Sequence, residues 1–366
     1  MAERGATPKV PRWRLHALRG LRSLFTPLLP DDYLELINPL WSTQELRGRI
    51  ERIERETPDT ATILIKPGWV WEGHEPGQYL RIGMAVDGVH HWRAYSLTSD
   101  PGRPDGCISI TPKLVDSGKV SPFLVRQAGP GAIVRLGGVE GTFVLPDPLP
   151  DKFLFISAGS GITPIMSMLR SLARRDALDD VVLLHSARTT EEVIFGDELR
   201  DLAERFAGFH LHEQLTREMG RMGPQDLDRL CPDWRDRETF ISGPAAMLDE
   251  MDANWDKEGD RDRLHVERFQ PIAGAGAAEH GKGGTIHLTG SDIEAESDGT
   301  TPILVAGEEA GATLPFGCRM GICHTCVGKL CSGQIRDLRT GKVFGSEGEM
   351  IRTCVNAPEG PVEIAL

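Results

Sequence analysis

Two hydrophobic rhythms run along this chain, and they cannot belong to one sheet. From Glu45 to about Leu145 apolar residues tend to alternate with polar ones, as in T-A-T-I-L-I-K (60–66) and C-I-S-I-T-P-K (107–113), with Gly and Pro between the runs. Alternation with period two marks strands with one face buried, so this stretch predicts a small antiparallel barrel. From Lys152 the pattern becomes short apolar runs separated by helix-length segments: K-F-L-F-I-S-A, a helix from Thr163, V-V-L-L-H-S, a helix near Phe195, H-L-H-E-Q-L, then E-T-F-I-S-G with its own helix. Strands alternating with helices predict a parallel sheet. The pattern ends near Phe269, and A-G-A-G-A-A-E-H-G-K-G-G (273–284) reads as a flexible linker. The expected division is a leader over 1–44, a barrel over 45–148, an α/β domain over 149–272, the linker, and a third domain over 285–366.

The 366 residues are 40% hydrophobic and 26% charged, as in ordinary globular chains, which excludes disorder and fibrous repeats. No window approaches ~18 uninterrupted apolar residues, and Arg19, Arg22, Pro27 and Pro30 break any signal-peptide core, so a cytoplasmic location is expected. A net charge of −13 repels nucleic acid and suits docking to basic protein surfaces. The leader departs from that balance. Its first 30 residues carry Arg4, Lys9, Arg12, Arg14, Arg19 and Arg22 against Glu3 alone, and Pro11 to Phe25 can form a basic amphipathic helix. Such a helix either packs on the barrel or lies on the inner face of a membrane.

Four of the seven cysteines crowd between Cys318 and Cys331. Cys318, Cys323, Cys326 and Cys354 have the C-x4-C-x2-C…C spacing with which thiolates wrap a [2Fe-2S] cluster. Gly317 and Gly321 let amide N–H groups turn toward the sulfurs. Zinc would usually show paired C-x2-C knuckles, and only one such pair occurs. Cys331 reads as a packed, non-ligating thiol, although an exchange with Cys326 is conceivable; Cys107 and Cys231 read as structural, and His324 as a surface histidine.

In the barrel, Arg93, Tyr95 and Ser96 of W-R-A-Y-S-L-T-S supply a cation for a pyrophosphate, an aromatic face for a flat ring and a hydroxyl beside it. Gly118, Lys119, Val120 and Ser121 precede a helical S-P-F-L-V-R-Q, with Ser121 expected to cap it, so backbone N–H groups can hold phosphate oxygens. Lys113, just upstream, joins these candidates. The parallel domain opens with Gly159, Ser160, Gly161, Thr163 and Pro164 directly after a strand, where glycines permit close approach and a helix beginning at Pro164 faces a pyrophosphate. Ser242 and Gly243 form a second tight turn after a later strand.

Taken in order, R-x-Y-S, G-x-x-S, G-x-G-x-x-P and x-G-P-x-x-M resemble the ferredoxin-NADP reductase superfamily over roughly Glu45 to Phe269, and Thr285 to Leu366 resembles the plant-type ferredoxins, whose fold is a β-grasp. The resemblance implies a multidomain flavoreductase fused to a ferredoxin. By it, Arg93 and Ser121 hold flavin phosphates, Tyr95 stacks on the isoalloxazine, Ser96 faces its N5, and Gly159 to Pro164 take the pyridine dinucleotide. Ser242 stands beside the nicotinamide where many relatives have Cys, and Phe269 either covers the nicotinamide or is a core aromatic. Arg188, Thr216 and Arg217 resemble the 2′-phosphate site of NADP-using relatives, which favours NADPH over NADH. FAD is favoured over FMN. Electrons would pass from NADPH through flavin and cluster to a separate terminal oxygenase. A membrane fatty-acyl desaturase or alkane hydroxylase is favoured by the basic leader; the alternatives are a soluble ring-hydroxylating oxygenase or epoxidase, or, from another class, a cluster-based redox sensor.

Overall fold

The structure, a computed structural model, describes residues 37–42, 45–86, 89–115, 118–269, 281–316, 321, 325–338 and 341–366. They form two compact units, one made of the described residues up to His91 together with Tyr95–Glu267, the other of Trp92–Ala94 together with Arg268–Leu366.

The first unit opens with six strands, β1 (Arg47–Thr57), β2 (Thr60–Pro67), β3 (Tyr79–Val86), β4 (Val89–Ser96), β5 (Ile108–Ile110) and β6 (Ile133–Glu140), in the order β4-β3-β6-β1-β2-β5. The antiparallel alternation read in the sequence puts Ile50, Ile63, Ile65, Leu80, Ile82 and Ile110 fully inside. Removing each from water stabilises the barrel by about 1.5–3 kcal/mol. β4 and β5 are the two edges of the sheet, and an antiparallel bridge between Leu97 and Ile110 brings those edges together. A short helix, α1 (Val120–Arg126), buries Val120 and Leu124 in the same core. Just before β1, Trp41 stacks on Trp69 at 6.3 Å, and Trp69 Nε1 donates to Ser42 O at 3.1 Å. The expected leader helix over 11–25 lies outside the described residues.

The parallel sheet follows: β7 (Phe153–Ala158), β8 (Val181–Ala187), β9 (Phe209–Leu215), β10 (Glu238–Ser242) and β11 (Leu264–Glu267), ordered β11-β10-β7-β8-β9. Every residue of β8 is buried, because helices cover both faces. Phe153 and Phe155 face one core with α2 (Ile162–Arg174) and α3 (Gly196–Arg205), while Leu154 and Ile156 face another that includes Trp234, with Trp255 of α4 (Ala245–Glu258). The chain runs outward through β8 and β9, then returns to set β10 against the other side of β7. That reversal creates a crevice at the carboxyl ends of β7 and β10, where open α/β sheets bind ligands.

The second unit has β12 (Gly284–Leu288), β13 (Ile293–Ser297), β14 (Val327–Ser332), β15 (Ile335–Asp337), β16 (Val343–Phe344), β17 (Met350–Arg352), β18 (Asn356–Pro358) and β19 (Val362–Ala365). One sheet is ordered β13-β12-β19-β14-β17, with β12 and β19 parallel at its centre, and a smaller one β16-β15-β18. α5 (Ile303–Glu309) buries Ile303, Leu304 and Ala306 in their shared core. This is the β-grasp expected for residues 285–366, with β12 beginning at Gly284, the last residue assigned to the linker.

Two expectations about helix starts need correction. α1 begins at Val120 with Lys119 at its N-cap position, so Ser121 is the second helical residue and not the cap. Its hydroxyl instead accepts the Val115 N–H at 3.1 Å, which folds the preceding loop back onto the helix. α2 begins at Ile162, not at Pro164. Pro164 still falls in the first turn, where its missing N–H leaves no helical bond unmade.

Candidate functional site

The two glycine turns meet at the crevice. Gly159 has φ +53 with open space around its Cα, so its backbone conformation, not crowding, requires glycine. Gly161 is limited by contact: a Cβ there would lie 2.1 Å from Ser242 O and 2.7 Å from Gly243 N. The turn after β7 is thus seated on the turn after β10. Thr163 Oγ1 donates to Ser160 O at 2.9 Å and fixes the first turn of α2. The positive end of that helix faces the crevice.

Strand register lines up a row of polar residues behind these turns. Ser157 on β7 pairs with Ser242 on β10 and with His185 on β8, and Ser242 pairs with Glu267 on β11. Ser157 Oγ and His185 Nδ1 share a 2.8 Å hydrogen bond. Full burial pushes the His185 pKa down to about 4, so the imidazole is neutral at physiological pH. Ser242 is fully buried, and its Oγ meets no hydrogen-bond partner among the described residues. A buried hydroxyl without a partner is costly, about 1–3 kcal/mol, and a polar group entering the crevice would relieve that cost. Burial also pushes the Glu267 carboxyl up to about 7. Glu267 was not among the candidates from sequence, although it lies two residues before Phe269; its signal is an acidic side chain at the carboxyl end of a strand. Phe269 itself is half-buried just beyond β11.

At the outer end of the sheet Arg217 N donates to Arg188 O at 3.2 Å, so the ends of β8 and β9 bring Arg188, Thr216 and Arg217 together. Arg217 is exposed, in the one-turn helix Thr216–Met219. Arg188 pairs with Glu192 at 3.1 Å.

In the barrel, Arg93 and Tyr95 alternate with Ser96 along β4, and Ser96 is buried. Tyr95 is half-buried against the barrel core, and the Arg93 guanidinium donates to Trp92 O at 2.8 Å. Gly118 N donates to Val115 O at 2.8 Å, so Gly118 to Ser121 form one loop-to-helix junction. Lys113 is engaged elsewhere, in a 3.1 Å ion pair with Asp59.

In the second unit Cys326 and Cys354 are buried, and Gly321, at φ +72, donates its N–H to Cys354 Sγ at 3.2 Å. Thr353 N and Oγ1 both hold Cys326 O, at 3.1 and 2.9 Å. An amide aimed at a thiol sulfur is what a thiolate ligand needs, so this half of the cradle fits an iron–sulfur cluster. Cys318, Cys323 and His324 lie outside the described residues. Cys331, expected to be packed, is instead half-exposed on β14, where neighbours alternate and Leu330 takes the inward position.

Similarity to known proteins defines the domains in which these residues lie. The oxidoreductase FAD-binding domain family matches residues 52–145, the oxidoreductase NAD-binding domain family 155–251, and the 2Fe-2S iron-sulfur cluster binding domain family 286–359. An NADPH oxidoreductase of Mycobacterium tuberculosis is 49% identical over 96% of this chain and 92% of its own. A glycine betaine monooxygenase reductase subunit of Pseudomonas aeruginosa is 31% identical over 90% of this chain and 98% of its own. Phthalate dioxygenase reductase has the same fold, with a TM-score of 0.57 at 23% identity over 88% of this chain and 98% of its own. The chain belongs to the ferredoxin-NADP reductase-type flavoreductases that carry a C-terminal [2Fe-2S] domain. It is an NAD(P)H-dependent oxidoreductase that uses FAD and a [2Fe-2S] cluster.

Proposed function

We propose that the protein takes electrons from NADPH at the β7/β10 crevice and passes them through FAD and the cluster to a separate terminal oxygenase. The observation that carries this reading is the nesting of Gly161 on Ser242: it sets the N-terminus of α2 beside a buried hydroxyl that meets no hydrogen-bond partner among the described residues.

FAD, when bound, accepts two electrons as hydride and releases them singly to a one-electron acceptor. The protein supplies positioning and exclusion of water. In this reading Arg93 and the Gly118–Ser121 junction hold the flavin phosphates, Tyr95 stacks on the ring, and Ser96 faces N5. Lys113, ion-paired with Asp59 in the β1–β2 turn, stands behind these groups and not on the phosphates. Gly159 to Pro164 hold the dinucleotide pyrophosphate, and Ser242 offers its hydroxyl to the nicotinamide carboxamide. Glu267, largely neutral below pH 7, can hold a proton beside Ser242 without placing a negative charge there. Arg217, backed by Thr216 and Arg188, takes the 2′-phosphate; the name of the mycobacterial relative supports NADPH. Cys318, Cys323, Cys326 and Cys354 hold the cluster.

The names of the relatives support an oxygenase as acceptor: a glycine betaine monooxygenase, and in M. tuberculosis a 3-ketosteroid-9-alpha-monooxygenase whose reductase component is 31% identical over 72% of this chain and 76% of its own. The basic leader supports a membrane-embedded desaturase or alkane hydroxylase. Among the described residues no helix is long and apolar enough to cross a membrane, so such contact would rest on the leader. Deleting residues 1–30 separates the two acceptors. Lost binding to anionic liposomes with unchanged NADPH–cytochrome c turnover supports the membrane partner, and unaltered liposome binding rejects it.

A further inference from the structure

We infer that Ser167, Arg170 and Arg174 are positioning residues that hold the dinucleotide turn in register with the flavin-binding strand; this rests on the cofactor placement given above. All three lie on one side of α2, three and four residues apart. All three reach the same three consecutive barrel residues, Thr98 to Asp100. Ser167 Oγ donates to Ser99 O at 2.7 Å. Arg170 donates to Thr98 O at 2.7 Å and grips Glu198 of α3 with both sides of its fork, at 2.8 and 2.6 Å. Arg174 Nε donates to Asp100 Oδ2 at 2.5 Å, and its guanidinium lies flat enough against Gly102 that a Cβ there would sit 2.5 Å from it.

The barrel residues on the other side of this seam are themselves fixed. Thr98 N donates to Ser109 O at 2.8 Å, Ser109 N donates to Ser99 Oγ at 3.1 Å, and His74 Nε2 shares Ser99 O at 3.2 Å. Thr98, Ser99, Ser109 and Ser167 are all buried. An apolar seam tolerates sliding, because dispersion and burial are nearly indifferent to small shifts. Directional bonds to buried groups are not, since each displaced donor or acceptor loses its partner with no water to replace it.

The positions in the chain give the seam its consequence. Ser99 lies three residues beyond Ser96 of the flavin strand, and Ser167 lies six beyond Gly161 of the dinucleotide turn. Hydride transfer needs its reacting atoms about 3–3.5 Å apart, and a shift of about 1 Å can cost on the order of a hundredfold in rate. A seam this near both cofactor-binding segments sets that distance while touching neither cofactor.

The test uses the FAD- and cluster-loaded protein with Ser167→Ala and Arg174→Gln. We expect the dinucleotide dissociation constant to stay within about twofold. The long-wavelength charge-transfer absorbance of the flavin–dinucleotide complex should weaken, and amide hydrogen exchange at residues 98–100 should quicken. Single-turnover flavin reduction by NADPH should fall about tenfold for Ser167→Ala and several-fold for Arg174→Gln. Arg174 is half-exposed, so its variant keeps the test alive if Ser167→Ala does not fold. Wild-type charge-transfer absorbance and reduction rate in either folded variant would overturn the inference. Arg93→Ala and Gly161→Ala serve as controls: if neither weakens flavin retention or dinucleotide binding, the cofactor placement itself fails, whereas silent seam variants beside responsive controls defeat the seam alone.

Discussion

Ser167 Oγ donates to the carbonyl of Ser99 across 68 residues of chain, joining the helix that follows the dinucleotide turn to the segment that follows the flavin motif. Arg170 and Arg174 extend that link to Thr98 and Asp100, so the first helix of the parallel domain is tied to the barrel by directional bonds at three consecutive residues.

Gly161→Ala drives a methyl group onto Ser242 O, where 2.1 Å is available. The turn must move away from β10, and the pyrophosphate with it. NAD(P)H affinity should fall at least tenfold while FAD content and the visible spectrum stay unchanged. Titration of the loaded protein with either dinucleotide reads this directly.

Glu267 predicts a pH dependence. Its carboxyl titrates near 4.5 when unfolded and at about 7 when folded, so between those values the folded state binds more protons and stability falls as pH rises. Glu267→Gln removes that slope. Thermal denaturation should show wild type and variant equal below about pH 4.5, with the variant more stable above pH 7. Parallel curves across that range would show that Glu267 titrates normally.

Arg217→Ala tests coenzyme choice. A charge-assisted hydrogen bond to phosphate contributes roughly 1.5–3 kcal/mol, and the exposure of Arg217 points to the lower end, about tenfold in KM for NADPH. NADH should be little affected. Arg188→Ala should cost less, because Glu192 already engages that guanidinium. Equal losses with NADPH and NADH would remove the 2′-phosphate role.

The change from alternating strands to strand–helix units was legible in the sequence because burial of one sheet face and of two faces leave different periods. The glycine turns were legible because Gly159 and Gly161 follow a strand directly. The row Glu267, Ser242, Ser157 and His185 was not, since it exists only once four strands are set in register. Ser121 was misread for a related reason: its cap-like position is overridden by the Val115 amide, a loop contact that local pattern does not encode. The seam from α2 to Thr98–Asp100 was also invisible, because ordinary serines and arginines carry it.

In the proposed path one chain carries electrons from NADPH through FAD to the cluster. Anaerobic mixing of the loaded protein with NADPH, followed by flavin absorbance and by the paramagnetic signal of the reduced cluster, tests it most directly. Flavin bleaching should come first and the cluster signal afterwards. In Cys323→Ser the flavin should still bleach and the cluster signal should be absent, whereas Cys331→Ser should behave as wild type. A cluster signal that survives in Cys323→Ser and vanishes in Cys331→Ser, or a cluster that NADPH never reduces in the intact protein, would contradict it.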